Sequence, residues 1–173
     1  MTRSACYKRG WASAPKLTQG LAAVLWRFVD QHENCLARRA GLATFDIVTT
    51  VPSSDQARDA RHPLPDIVGR LVRPTADRYE RLLNRSDVSV EPRTVNIRKY
   101  KHTRPLTTEN VLLIDDTWTT GANAQSAALA LKAAGAGKVG VVVIGRHIRE
   151  DYGDNAKRLK ALPRFSWERC ADD

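Results

Sequence analysis

The segment Val111 to Asn123, VLLIDDTWTTGAN, limits what this chain can fold into more than any other stretch. Four apolar residues open it, the signature of a buried strand. Asp115 and Asp116 stand at the carboxyl end of that strand, and a short loop of small hydroxyl residues and glycine, Thr119-Thr120-Gly121, follows. Residues 122–134 are Ala-rich and read as a helix that Gly135 stops. The start of such a helix offers free backbone donors and the positive end of its dipole. Gly121 lets the backbone approach a ligand closely, and the threonine hydroxyls can donate to phosphate oxygens, which together make a phosphate cradle. The two carboxylates can accept from sugar hydroxyls or hold a hydrated Mg²⁺. Taken alone, a pair of acids there can equally cap the strand–helix turn. A phosphate at one end and a diol at the other describe a phosphorylated pentose.

The remaining chain supplies the frame for that segment. Residues 15–40 form an amphipathic helix, with Leu17, Leu21, Val24, Leu25, Phe28 and Val29 at helical spacing and Gly41 as its stop. Residues 45–51, FDIVTTV, read as a buried strand ended by Pro52. Two short helices are expected over 65–73 and 74–83, then an irregular stretch over 84–110 with a strand candidate at Val88–Val90. Lys138–Ile144 is a continuous apolar strand, of the kind buried on both faces of a parallel sheet. Residues 154–162 read as a helix and Arg164–Glu168 as a closing strand. This order of strands and helices is that of an α/β domain with right-handed crossovers. Ligands in such sheets sit outside the carboxyl ends of the strands, so the loops after Val51, Ile114 and Ile144 should face one site.

Composition narrows the setting. At 173 residues the chain suits one domain, 1–173, with a self-sufficient core. It has no apolar run near the ~20 residues a membrane span needs, and its start lacks the apolar core of a signal peptide, so a cytoplasmic protein without membrane partners is expected. Net charge +9 favours polyanions (nucleic acid, phosphorylated metabolites or an anionic membrane face), or is simply a solubilising surface. The three cysteines, Cys6, Cys35 and Cys170, are far apart and lack zinc-finger spacing, so reduced, mostly buried thiols are expected.

With four apolar residues, two acids and a Thr-Gly loop in one register, Val111–Asn123 resembles the signature of type I phosphoribosyltransferases. Weaker similarity runs from Tyr7 to Cys170, and VTTVPSS (Val48–Ser54), HPL (His62–Leu64) and LLIDDTWTTGANAQSAALAL place the resemblance in the ComF-like, amidophosphoribosyltransferase-like branch, in an actinobacterial-looking version. The resemblance implies a Rossmann-like parallel sheet with a core about 42–150, a small hood formed or flanked by the N-terminal helix and C-terminal segment, and a flexible loop about 93–107. It implies a Mg²⁺-dependent enzyme that moves ribose 5-phosphate from phosphoribosyl pyrophosphate (PRPP) to an acceptor and releases pyrophosphate. Asp115 and Asp116 would hold the ribose hydroxyls and Mg²⁺, directly or through water. Thr117, Trp118, Thr119, Thr120, Gly121, Ala122 and Asn123 would wrap the 5′-phosphate, with Trp118 packed under the loop. Val51, Pro52, Ser53 and Ser54 would form the pyrophosphate loop, with a strained or cis peptide. Arg61 and Lys99, beside Arg58, Arg93, Arg98 and Lys101, are the cations expected near pyrophosphate. Arg146, His147 and Trp167 are the candidates for touching the acceptor.

The departures from the pattern bear on substrate. Thr119 stands where 6-oxopurine salvage enzymes carry an acid, and a threonine cannot serve as a base near neutral pH, which argues against hypoxanthine and guanine as acceptors. Asn123 replaces the usual hydroxyl residue, though its amide can still donate. The acceptor is not encoded in any motif. The same fold without turnover would give a PRPP-binding regulator, or a ComF-like protein acting with nucleic acid. No helix-turn-helix and no stacking array of aromatics supports the latter. A homodimer is a family-level expectation.

Overall fold

The computed structural model describes residues 14–53, 56–164 and 166–170. Ser54 and Phe165 lie outside the described residues, as do Cys6, Tyr7, Lys8 and Trp11. The elements run α1 (Ala14–Arg39), β1 (Ile47–Thr50), α2 (Gln56–Asp59), α3 (Pro63–Asp66) continued by a π-helical turn (Ile67–Leu71), α4 (Arg73–Ala76), β2 (Leu83–Arg85), a 3-10 turn (Ile97–Lys99), β3 (Tyr100–His102), β4 (Val111–Trp118), α5 (Ala122–Ala133), β5 (Val139–Arg146) and α6 (Asn155–Ala161). The fold is mixed α/β. A parallel sheet has the order β1-β4-β5, and β2 and β3 form a separate antiparallel ribbon. No helix among the described residues is long and apolar enough to cross a membrane.

Period-two alternation divides the sheet between two cores. In β4, Val111 and Leu113 face α5 and the ribbon, packing with Leu82, Leu83, Tyr100, Ala127 and Leu131. Leu112 and Ile114 face the other way, toward Leu25 and Val29 of α1 and Leu64, Ile67 and Val68. Thus α1, expected to form or flank a hood, supplies one covering layer of the sheet. The central position of β4 follows from its composition: all six residues from Val111 to Asp116 are buried. In-register pairing of Thr50 with Ile114 and of Asp115 with Val143 brings the carboxyl ends of the three strands to one edge.

Several sequence expectations are corrected. Lys138–Ile144 is not buried on both faces: β5 is the edge strand, and only Val142 in it is buried. The helix expected over 74–83 stops at Ala76, because Tyr79 bridges to Val48 and the Glu80 N–H donates to the Val48 carbonyl at 2.9 Å. Val88–Val90 is not a strand; the ribbon uses Leu83–Arg85 and Tyr100–His102 instead. Residues 93–107 contain the 3-10 turn and β3, with Lys99, Tyr100 and Leu106 buried. Arg164–Glu168 forms no strand among its described residues.

Arg78 ties α1 to the rest. Its guanidinium makes a bidentate pair with buried Glu33 (2.7 and 2.8 Å) and donates to the Phe45 and Pro74 carbonyls (2.8 and 2.9 Å). Glu33 raises the Arg78 pKa, chiefly through that hydrogen bond. Arg78→Ala leaves a buried carboxylate and two carbonyls without this donor, and should cost about 3 kcal/mol in urea unfolding.

Candidate functional site

The segment after β4 turns sharply into α5. Gly121 caps the helix in the left-handed region, with φ +78°. A Cβ there would lie 2.1 Å from the Trp118 indole, so the glycine answers both a backbone and a packing demand. Trp118 is half-buried under this turn, as the sequence suggests, but it belongs to β4 with Thr117 rather than to the loop. Their strand pairing with Gly145 and Arg146 extends β4 past the two acids to Trp118, so the loop is only Thr119 to Gly121.

A cavity of 210 Å³ opens at this turn. It gathers Asp115, Thr117, Thr119, Thr120, Gly121, Ala122 and Asn123 with Pro92, Arg93 and Lys99. Most of the residues expected at a ribose-phosphate site therefore meet in one place. Lys99 is only 6% exposed, and its ammonium donates to the neutral side-chain oxygen of Asn123. Burial depresses its pKa, and the nearby Arg85 adds to the effect. A buried cation with a neutral partner, beside a helix start, is arranged to accept an anion. The 3-10 turn that carries Lys99 is held against α5 by the Asn96 N–H, which donates to Ser126 Oγ at 3.0 Å.

The two acids differ in surroundings. Both are 8% exposed. Asp115 Oδ1 accepts the Asp116 N–H at 2.9 Å. Asp116 Oδ2 lies 3.4 Å from Nε2 of His62. The Nδ1 of that imidazole accepts the Leu64 N–H at 3.3 Å, capping α3, which leaves the proton on Nε2 toward Asp116. Two buried carboxylates at a strand end are hard oxygen donors and fit a hydrated Mg²⁺.

The loop after β1 lies alongside. Val51 and Pro52 are buried, and the Val51 N–H donates to the Ile114 carbonyl at 3.0 Å. The Tyr100 hydroxyl reaches the Pro52 carbonyl at 3.4 Å; its pKa is raised, first by burial and then by the charge of Asp115. The Ser53 N–H donates to Oδ1 of buried Asp59 at 2.7 Å, and Arg81 pairs with the other oxygen. No cis peptide bond occurs among the described residues.

Other expected site residues fall elsewhere. Arg61 is exposed on the turn before α3 and lines neither cavity at this edge. Arg146 ends β5, exposed. His147 donates its N–H to the Trp118 carbonyl at 2.9 Å and lines a second cavity of 620 Å³ with Arg149, Tyr152 and Asn155. That cavity shares Arg93, Thr119 and Thr120 with the first. Trp167 is separate: it docks on α1, with the Arg27 guanidinium 4.6 Å above its ring. A hollow of 510 Å³ between β3 and α5 holds no acid of the site. Sequence reasoning missed His62, Asp59 and Tyr100 as neighbours of the site. The HPL motif was the available signal for His62, but the long-range contacts of His62 with Asp116 and of Tyr100 with Pro52 are invisible to spacing.

Lys99→Met tests the cation directly. Because the folded chain depresses this pKa, the buried charge costs stability below the folded pKa, and the cost fades as pH rises toward the ordinary 10.5. The variant should therefore melt higher near neutral pH, with the gain shrinking at alkaline pH. It should also cost about 10–100-fold in affinity for any anion seated in this cavity, the worth of one hydrogen bond to a charged group. Differential scanning fluorimetry across pH reads the first effect and a binding titration the second.

No protein-family model matches the chain, and no curated protein matches it.

Proposed function

We propose that the chain is a Mg²⁺-dependent phosphoribosyltransferase with a type I fold, acting on PRPP and a nitrogen acceptor. The observation that carries the reading is the cavity at the end of β4, which unites Asp115, the Gly121 turn and buried Lys99. In this reading the 5′-phosphate sits on the start of α5, between the backbone donors and Lys99. The ribose hydroxyls donate to Asp115 and Asp116, and His62 keeps Asp116 oriented from behind. The pyrophosphate extends toward Val51–Ser53. Asp115 and Asp116 would hold Mg²⁺, directly or through water, and the ion would supply positive charge against the departing pyrophosphate. The C1–O bond breaks with its electron pair leaving on pyrophosphate, and the acceptor nitrogen donates its lone pair to C1 and loses a proton. The protein acts by positioning and electrostatics. The adjoining cavity at His147 offers room for the acceptor.

One observation favours a second reading. The Ser53 N–H, which a pyrophosphate would engage, already donates to the Asp59 carboxylate. That arrangement suits a protein that binds PRPP without turning it over. Pyrophosphate release, followed with Mg²⁺, PRPP and a panel of nitrogen acceptors, separates the two. Acceptor-dependent release supports the transferase; PRPP binding with no release selects the binding protein.

A further inference from the structure

We infer that the chain carries a thiolate–imidazole metal site, built for a zinc-type ion, that fastens the C-terminal segment to α1. It is independent of the ribose-phosphate reading. His32, Cys35 and Cys170 each offer a donor atom, and these atoms lie within 4.8 Å of one another. His32 and Cys35 are three residues apart on α1, so they share one helix face. Cys170 arrives from the far end of the chain.

The surroundings are those a metal ligand needs. His32 is 7% exposed, and its Nε2 lies 2.7 Å from the Trp167 carbonyl. A carbonyl only accepts, so Nε2 carries the proton and Nδ1 keeps its lone pair for an ion. Donation of the second ring N–H to a backbone carbonyl is the usual outer-shell support of a metal-bound histidine. On the other side, the Arg38 guanidinium donates to Cys35 Sγ at 3.6 Å, placing positive charge beside a sulfur that would be negative when bound. Cys35 and Cys170 are both half-buried.

The donor set decides the ion. Two sulfurs and one imidazole select zinc and its soft neighbours over magnesium or calcium. With Zn–S about 2.3 Å and Zn–N about 2.0–2.1 Å, tetrahedral donors stand about 3.5–3.8 Å apart. Side-chain rotation of about an ångström closes the observed cluster to that spacing. The fourth corner goes to solvent. The consequence is mechanical: Trp167 lines an apolar cavity of 490 Å³ between α1 and β5, and an ion at Cys170 pins the segment that covers it.

The test uses the untagged, reduced full chain with Zn²⁺ or Co²⁺ as probe. Elemental analysis should find one Zn²⁺ per chain. Co²⁺ should give a thiolate charge-transfer band and the visible bands of a tetrahedral site. Cys170→Ser and Cys35→Ser should each weaken Zn²⁺ binding about 100-fold or more, since even outer-shell partners cost 10–100-fold, with far-UV circular dichroism unchanged. If Cys35→Ser fails to fold, Cys170→Ser, in a coil segment, decides. Absence of metal binding by the reduced chain overturns the inference. So does binding that survives Cys170→Ser, or a Cys35–Cys170 disulfide whose reduction yields no metal site.

Discussion

Asp115→Asn/Asp116→Asn is expected to bind Mg²⁺–PRPP at least about 100-fold more weakly than the wild-type chain while keeping its fold. A hydrogen bond to a charged group is worth about 1.5–3 kcal/mol, and each 1.4 kcal/mol is tenfold in affinity, so two lost carboxylates account for that factor. The fold survives because the amide keeps the local contacts: an asparagine oxygen at position 115 still accepts the Asp116 N–H, and one at position 116 still faces His62. A rise in melting temperature with PRPP is expected of the wild-type chain and should be absent in the double variant. An equal rise in both proteins would place PRPP elsewhere.

Gly121→Ala should be costly in two separable ways. The left-handed backbone alone penalises an L-residue by about 1–2 kcal/mol. The new Cβ also falls on the Trp118 ring, and overpacking of this kind adds about 1–3 kcal/mol. The sum, about 2–5 kcal/mol, should appear in chemical denaturation, and displacement of the turn should weaken PRPP binding. Trp118→Ala introduced beside it removes the clash but not the backbone strain, so the Gly121→Ala penalty measured in that background should fall without disappearing. An unchanged penalty there would mean that the indole does not press on this glycine.

Long apolar signals were readable from the sequence and short or non-local ones were not. Strand β4 announces itself through Val111–Ile114, and α1 and α5 through helical spacing and Ala content. The extension of β4 through Thr117 and Trp118 was hidden because a threonine-rich stretch ending in glycine resembles a turn, although both residue types pair well in strands. The ribbon of β2 and β3 was hidden for another reason. Leu83-Asn84-Arg85 and Tyr100-Lys101-His102 are mostly polar, and their pairing depends on loop closure rather than local pattern. Tyr79 shows tertiary override plainly: RYERLL has helical spacing, but the bridge to Val48 wins. For the site, the Asp115–Asn123 group was legible because its residues are contiguous. Lys99 was legible as a charge, though chain position after the Val51–Ser54 loop favoured Arg61, which ends on an exposed turn. His62, Asp59 and Tyr100 reach the site only through folding.

The edge at the end of β4 is proposed to bind the ribose-phosphate end of PRPP. Calorimetric titration of Mg²⁺–PRPP into the wild-type chain tests it most directly. One site per chain, displaced by ribose 5-phosphate and lost in Asp115→Asn/Asp116→Asn, is the predicted result. No binding heat across temperatures, or binding indifferent to those two carboxylates, would contradict it.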